Sequence, residues 1–337
     1  MNVSWPSPDY DRQIDLICEK LDKARNIFCI AHPYSDGDAL GSQLALYHWC
    51  RAAGKNCIVL NFDPLPEQIS WLRGAEVCQN YLPEDVEFDL AFLMETTEAR
   101  RMGERVEFFK RATTTVHLDH HIGVIGLGSI NLLEEKASST CEILYNILER
   151  TGVELNRECR EALYVGIMTD TGNLRFNNPT PRSHEIAAQL IGSDLVVDDI
   201  YKLVYENTNY HRVVIHGTVM ARTRSFNDGK VVASWLALDD FTRIGATEVD
   251  ADGAIRNLSC IKGIEAAILF KEVEGGKVKI SFRSTGKIDV MEVSRRFNGG
   301  GHRNAAGAQI DGKLEDVMQT VVAAVAEALP TGDNCNA

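Results

Sequence analysis

The sequence has no long hydrophobic run, no paired cysteines and a shortage of positive charge. None of its apolar segments approaches the roughly 20 residues that a membrane-spanning helix needs, and the polar first residues are not those of a signal peptide. The nine cysteines are scattered without a C-x-x-C pair, which argues against a zinc–thiolate site and favours reduced thiols. We therefore expect a cytoplasmic protein without a membrane partner.

The shortage of positive charge restricts the binding partners. The formal net charge is −13 at pH 7, so a long nucleic-acid duplex is an unfavourable partner. A short phosphorylated ligand stays compatible, because residues 281–303 contain five arginines and lysines against two acidic residues. The composition, 45% hydrophobic and 25% charged over 337 residues, is that of a globular protein with room for two domains.

Strand-like and helical segments alternate in the first half of the chain. Four apolar runs separated by helical patterns are typical of buried strands, at residues 26–30, 56–62, 88–94 and 114–118. This alternation predicts an α/β fold with a doubly wound, mostly parallel sheet. After about residue 222 the pattern indicates a smaller α/β domain with a mixed sheet, whose strand-like segments are 230–238, 266–273 and 277–283.

The change of pattern divides the chain into four parts. We predict a catalytic domain at residues 1–190, a helical linker at 191–222, a second domain at 223–330 and a tail at 331–337. The linker is polar and helical, with apolar side chains on one side. The sequence leaves a homodimer through the linker or the second domain open.

Polar side chains follow the first predicted strand, where the chain turns into a helix. His32, Asp36 and Asp38 lie in this turn, and such turns in open α/β sheets collect ligands. An imidazole followed by two carboxylates suits a hard divalent cation, or a pair of them. The alternative interpretation is a polar turn in which Asp38 is only the N-cap of the helix.

The third and fourth strands end in side chains of the same kind. Glu95 follows the third strand, and Asp119, His120 and His121 lie at the end of the fourth. Because the carboxyl ends of parallel strands meet at one edge of a sheet, we expect these side chains to converge with His32. Three strand ends carrying residues of the metal-ligand set predict a metal centre.

Asp170 has two interpretations. It lies where an apolar helix opens into a loop containing Gly172, which is a suitable position for a carboxylate facing a cleft. Taken alone, the residue is better explained as a helix C-cap that Gly172 terminates.

Three consecutive glycines in the second domain suggest contact with phosphate. Glycines in a row lose much backbone entropy on folding, so they favour a place where the backbone approaches a ligand or takes a positive φ. Bare amides suit phosphate oxygens, and a flexible turn is the alternative. We favour phosphate contact because basic and polar donors lie nearby, which gives the candidate set Arg283, Ser284, Gly299, Gly300, Gly301, His302 and Arg303.

The order of these motifs resembles that of the DHH phosphoesterase family with a DHH-associated C-terminal domain. The chain has His-x-x-x-Asp-x-Asp, then Asp-His-His, then Asp-Thr-Gly and, in the second domain, Gly-Gly-Gly-His. The stand-alone oligoribonuclease and pAp-phosphatase type (nanoRNase, NrnA-like) is the subgroup resembled, over residues 10–330. The resemblance implies hydrolysis of short oligoribonucleotides to mononucleotides, or removal of phosphate from pAp, with a pair of Mn²⁺ ions and with Mg²⁺ or Co²⁺ as alternatives.

The resemblance also implies which residues hold the metals. His32 and Asp36 match ligands of one ion, and Asp38, His120 and Asp170 match ligands of the other.

The residue that bridges both ions departs from the family pattern. The family has an aspartate at the end of the third strand, whereas this chain has Glu95. By the same resemblance Asp119 and His121 belong to the catalytic machinery, together with Arg101. The arginine, serine, glycine and histidine positions of the second domain match the family's phosphate- and nucleotide-binding positions.

Two other functions stay open at this point. The same parts could cleave cyclic dinucleotides or their linear products. A nucleotide-binding protein with decayed catalysis is the second alternative, and Glu95 is the feature that supports it.

Overall fold

The computed structural model describes residues 9–329, except the side chains of Arg101 and Glu104. The chain divides into two compact units between Asn207 and Thr208. The predicted linker, 191–222, is therefore shared between the two units, and the predicted tail, 331–337, lies outside the described residues. The predicted limits of the functional domains stay predictions.

The first unit is built on five parallel strands. In chain order these are β1 (Asn26–Ala31), β2 (Asn56–Leu60), β3 (Phe88–Met94), β4 (Ala112–Asp119) and β5 (Ile130–Leu133). Their order in the sheet is β2-β1-β3-β4-β5, and every neighbouring pair is parallel. The predicted α/β class with a parallel sheet is confirmed. Strand β5 was not predicted, because its four residues, Ile-Asn-Leu-Leu, are too few to give a strand pattern.

Helices cover both faces of this sheet. They are α1 (Tyr10–Lys23), α2 (Gly37–Ala52), α3 (Ala99–Met102), α4 (Val106–Phe109), α5 (Thr140–Arg150), α6 (Arg157–Asp170), α7 (Pro181–Ile191) and α8 (Val197–Tyr201), the last followed by a π-helical turn at Lys202–Glu206. Since side chains alternate along a strand, Ile27 and Cys29 enter the core with α1, α2, α5 and α6, whereas Phe28 and Ile30 enter the core on the opposite face.

Two glycines allow α2, α5 and α6 to pack closely. A Cβ added to Gly41 in α2 would lie 2.6 Å from the carbonyl oxygen of Ala162 in α6. A Cβ on Gly166 in α6 would lie 2.2 Å from Cys141 Sγ in α5 and 3.0 Å from Asp38 Oδ1. The distances to Ala162 and Cys141 are too short for real Cβ contacts, so only glycine permits this approach. The packing brings the start of α2 against the start of α5 and the body of α6.

The second unit contains a mixed sheet of six strands, as predicted. The strands are β6 (Arg224–Phe226), β7 (Val231–Leu236), β8 (Ala266–Val273), β9 (Lys277–Ser284), β10 (Gly300–His302) and β11 (Ala305–Asp311). The order is β10-β11-β9-β8-β7-β6, in which only the β7–β8 pair is parallel.

The helices of the second unit form a layer on each face of its sheet. One face packs against α12 (Val290–Arg295) and α13 (Leu314–Glu327), and the other against α9 (Tyr210–Ala221), α10 (Leu238–Ile244) and α11 (Ala254–Ser259). Within residues 9–329, every helix is too short or too polar to cross a lipid bilayer.

Candidate metal centre

The carboxyl ends of β1, β3 and β4 bring imidazoles and carboxylates to one edge of the parallel sheet. Among the described residues, the side chains form two groups of three, and within each group the potential ligand atoms all lie within 4.8 Å of one another. The first group is His32, Asp36 and Glu95, and the second is Glu95, His120 and His121. Glu95 belongs to both groups, so a single carboxylate joins them. Asp38 and Asp170, which the sequence also predicts as ligands, belong to neither group. The Asp38 backbone contacts Asp36 of the first group, and the Asp170 carboxyl lies beside His120 of the second.

Asp36, and not Asp38, is the N-cap of α2. The Asp36 carboxylate accepts hydrogen bonds from the backbone N–H of Asp38 (3.1 Å) and of Ala39 (3.0 Å). The interpretation of Asp38 as the cap is therefore wrong, because the helix already begins at Gly37. Partial desolvation opposes ionisation of Asp36, but the His32 imidazole, whose Nε2 lies 3.8 Å from Oδ2, and the hydrogen bond from the Ala39 amide outweigh it and lower the pKa of the carboxyl.

Asp38 is fully buried at the start of α5. Its Oδ2 accepts from the Thr140 N–H at 2.7 Å and its Oδ1 from the Cys141 N–H at 2.9 Å. These two amides lie in the first turn of α5 and have no partner within the helix, and a helix N-terminus stabilises a negative charge. The start of α5 thus provides a hydrogen bond to each carboxyl oxygen of Asp38 inside the protein.

Glu95 lies at the junction of the two groups in an unusual backbone conformation. Its φ is +55°, its side chain is 2% exposed, and its Oε1 accepts a hydrogen bond from Thr140 Oγ1 at 2.5 Å. Burial and the adjacent charge of Asp38 raise the pKa of Glu95 well above its ordinary value. A left-handed φ in a residue other than glycine is a feature that clusters at functional sites.

His120 faces two carboxylates. Its Nε2 lies 3.3 Å from Glu95 Oε1 and 3.5 Å from Asp170 Oδ2, while its Nδ1 lies 3.3 Å from the Ala137 carbonyl oxygen. Nε2 is buried and has no hydrogen-bond partner in residues 9–329. Burial and the charge of Asp38 raise the pKa of Asp170 to about 7. A buried imidazole nitrogen without a partner, set between carboxylates, fits a divalent cation.

Asp119 orients His121. Its Oδ1 accepts hydrogen bonds from the backbone N–H and from Nδ1 of His121, both at 2.8 Å, and His117 Nε2 lies 3.8 Å from its Oδ2. Burial opposes ionisation of Asp119, but the nearby His117 imidazole and the hydrogen bonds from His121 outweigh it and lower the pKa of the carboxyl. The hydrogen bond to Asp119 in turn raises the pKa of His121, whose side chain is 43% exposed. Solvent, and hence a substrate, can reach this ring.

Sequence reasoning missed two polar residues that hold the centre together. Thr140 supplies both an amide to Asp38 and a hydroxyl to Glu95. Asn178 donates from Nδ2 to the carbonyl oxygens of Ser138 (3.0 Å) and Asp170 (3.2 Å), and to Asp170 Oδ2 (3.3 Å). The hydroxyl-rich start of α5 could have indicated Thr140, whereas no local pattern singles out Asn178.

The candidate residues of the second unit lie around β9 and β10. Arg283 is half-buried, and its Nη1 donates to the Phe282 carbonyl oxygen at 2.9 Å. Ser284 Oγ accepts from the Gly286 N–H at 3.0 Å, and Arg303 Nη2 lies 3.4 Å from the Gly286 carbonyl oxygen. Their roles stay predictions, as does that of Arg101, which lies in α3 with its side chain outside the described part of the chain.

The three glycines have different surroundings. A Cβ on Gly299 would lie 2.2 Å from the Gly307 carbonyl oxygen, and one on Gly301, whose φ is +140°, would lie 2.5 Å from the Ala305 carbonyl oxygen. Both glycines are therefore required by the β10–β11 hairpin itself. Gly300, with no atom within 4 Å of an added Cβ, and His302 are exposed in the edge strand β10.

Comparison with known proteins identifies two domains in this chain. Residues 26–167 match the N-terminal domain of the DHH family, and residues 228–329 match the DHHA1 domain. The chain is 27% identical to the bifunctional oligoribonuclease and PAP phosphatase NrnA of Thermus thermophilus, over 98% of both chains. It is 26% identical to the Bacillus subtilis protein of the same name, over 83% of this chain and 87% of that one.

A solved structure is similar over most of the chain. It is the crystal structure of an exopolyphosphatase-related protein from Bacteroides fragilis, with a TM-score of 0.80 and 25% sequence identity. The similarity covers 94% of this chain and 96% of that one.

Proposed function

Because the chain belongs to the DHH family of phosphoesterases, we propose that it hydrolyses short oligoribonucleotides to mononucleotides and removes a phosphate from pAp. The names of the Thermus thermophilus and Bacillus subtilis relatives contain both activities. The observation that carries the proposal is the meeting of His32, Asp36, Glu95, His120 and His121 at one sheet edge.

The side chains present fit a pair of divalent cations, with Mn²⁺ as the proposed ions and Mg²⁺ or Co²⁺ as alternatives. We assign His32 and Asp36 to one ion and Asp38, His120 and Asp170 to the other, with Glu95 shared between them. Each Asp38 oxygen keeps a lone pair beyond its bond to a helix amide. When bound, such cations lower the pKa of water and neutralise charge on phosphoryl oxygens.

The chain's own residues then orient the substrate and hold protons. The Asp119–His121 hydrogen bond occupies Nδ1 of the imidazole, which leaves Nε2 to donate to a phosphoryl oxygen. The hydrogen bond to Asp119 raises the pKa of His121, and an N–H donated from this ring to the phosphate stabilises charge that develops on its oxygens. We also propose that Arg283, His302 and Arg303 contact a phosphate or nucleotide of the substrate.

The experiment that tests this function is a substrate panel. Purified protein with Mn²⁺ is incubated with pApA, pAp, cyclic di-AMP, cyclic di-GMP and pyrophosphate, beside the variants His120→Ala and His184→Ala. His184 is an exposed histidine of α7, so its variant controls for loss of a surface imidazole. We expect pApA and pAp to be hydrolysed by the wild type and by His184→Ala, but not by His120→Ala.

Other outcomes would replace this function. Preferred cleavage of a cyclic dinucleotide would make the protein a cyclic-dinucleotide phosphodiesterase. Nucleotide binding without turnover, together with hydrolysis by Glu95→Asp, would identify a binding protein whose catalysis has decayed. Intact pApA and pAp, with the wild type and His120→Ala indistinguishable, would reject the proposal.

A further inference from the structure

Tyr34 presents its ring to solvent beside the candidate metal centre. It lies two residues after His32 and two before Asp36, and it is 76% exposed. Its φ is +57°, which is in the left-handed region that bulky residues rarely adopt. An exposed aromatic ring has no packing that would offset this backbone strain, so the conformation needs another cause.

A largely buried ion pair holds the backbone of Tyr34. The Tyr34 N–H donates to Asp63 Oδ2 at 3.2 Å. The two oxygens of Asp63 accept from Arg105 Nη1 (2.9 Å) and Nη2 (3.4 Å). The Arg105 guanidinium lies 4.8 Å above the centre of the Phe62 ring. The outward position of Tyr34 is thus built into the fold by residues of the next loop.

Tyr34 is one of the residues that line an open cavity of about 520 Å³. This volume is within the usual range for small-molecule sites. Phe62, Met102 and Phe108 provide apolar walls, and Arg105 is neutralised by Asp63. The remaining arginine of the lining, Arg100, is paired with Glu98 at 3.0 Å. The apolar walls of this lining therefore suit a flat aromatic group.

We infer that Tyr34 stacks against a nucleobase of the substrate whose phosphate is held at the metal centre. This inference rests on the proposed function and adds a base subsite to it. Every base has a π face, so stacking of this kind tolerates any sequence. Removal of one aromatic platform weakens binding by roughly fivefold to 150-fold.

The experiment measures binding instead of turnover. Affinities for AMP and for ribose 5-phosphate, which lacks the base, are measured by calorimetry in Mn²⁺ for the wild type, Tyr34→Phe, Tyr34→Ala and Tyr34→Gly. Phenylalanine keeps the ring, and glycine removes the ring while it accepts the positive φ. Tyr81→Ala, which removes an exposed tyrosine that does not line the cavity, is the surface control.

We expect Tyr34→Ala and Tyr34→Gly to bind AMP about tenfold more weakly or worse. Tyr34→Phe and Tyr81→Ala should match the wild type, and all five proteins should bind ribose 5-phosphate equally. Equal AMP affinity in Tyr34→Ala and wild type would overturn the inference. An equal loss of affinity for ribose 5-phosphate in Tyr34→Ala would also overturn it, because Tyr34 would then shape the metal centre. So would a wild type that binds AMP no more tightly than ribose 5-phosphate.

Failure of the proposed function gives a different result. If the proposed function is wrong, the wild-type protein leaves pApA and pAp intact. This hydrolysis assay does not depend on the affinity for AMP. A wild type that hydrolyses both substrates while Tyr34→Ala keeps full AMP affinity would reject the base subsite alone.

Discussion

The Thr140 hydroxyl donates a hydrogen bond to Glu95 Oε1 across 2.5 Å, from the first residue of α5 to the residue that follows β3. The backbone N–H of the same threonine donates to Asp38. One residue thus fixes two buried carboxylates whose charges repel each other. Hydrogen bonds to the ionised form oppose the effect of burial, which raises the pKa of Glu95.

Replacement of this hydroxyl should weaken the metal centre. In Thr140→Val the shape of the side chain is kept, but Glu95 loses its donor. We expect the affinity for Mn²⁺, measured by calorimetry, to fall by about 10- to 100-fold, as is usual when a group that orients a ligand is removed. Thr140→Ser keeps the hydroxyl and should bind like the wild type; equal affinities of the valine and serine variants would contradict this role.

Two helical glycines should respond to alanine with opposite signs. At Gly41 the new Cβ would lie 2.6 Å from the Ala162 carbonyl oxygen, so the α2–α6 contact must open, at a cost of about 1–3 kcal/mol. At Gly217 in α9 the Cβ meets nothing within 4 Å, and the alanine should stabilise the helix by about 0.5–1 kcal/mol. Calorimetry should show a lower transition temperature for Gly41→Ala and a higher one for Gly217→Ala. A stable Gly41→Ala would show that the helices can separate without loss.

The strand ends of the candidate site could be predicted because buried parallel strands are continuous apolar runs. The run 88–94 coincides with β3 (Phe88–Met94), and it places Glu95 without any tertiary information. By contrast, the bonds from Thr140 to Asp38 and Glu95 join residues 102 and 45 positions apart. They depend on how α5 packs, which local patterns do not contain.

The hairpin of the second unit could not be predicted for a related reason. Its strands, Gly300–His302 and Ala305–Asp311, consist largely of glycine and alanine, which have low strand propensity. Pairing of β11 with β9 imposes the extended conformation. The sequence therefore indicated a phosphate-contacting glycine stretch or a flexible turn, without the edge strand that the structure has there.

A buried ion pair should make the stability of the second unit depend on acid pH. Asp240 accepts hydrogen bonds from Arg222, from Arg243 Nη2 (2.9 Å) and from the Ala237 N–H (2.8 Å). Burial alone would raise the pKa of Asp240, but these bonds outweigh it and hold the pKa below its usual value. A carboxyl with a lowered folded-state pKa stabilises the protein above its ordinary pKa of about 3.9, and this stabilisation is lost as the pH falls through the folded-state value.

The variant Asp240→Asn separates this contribution from general acid denaturation. At pH 7 we expect it to be less stable than the wild type by about 2 kcal/mol, since hydrogen bonds to a charged group are lost. The difference should shrink as the pH is lowered below about 4, because Asp240 of the unfolded wild type then takes up a proton that the folded protein does not, which favours unfolding. Thermal unfolding at a series of pH values measures it, and a difference that stays constant down to pH 3 would contradict the assignment.

Binding of Mn²⁺ should stabilise the first unit through His120, whatever the substrate is. A ligand that binds only the folded state at about 100 times its dissociation constant adds about 2.7 kcal/mol to the free energy of unfolding. The buried His120 Nε2, 3.3 Å from Glu95 and 3.5 Å from Asp170, supplies the nitrogen that we assign to this binding. We therefore expect Mn²⁺ to raise the unfolding temperature of the wild type and of His184→Ala, and to have little effect on His120→Ala. If Mn²⁺ stabilises His120→Ala as much as the wild type, the ion binds elsewhere and the assignment of this ligand is wrong.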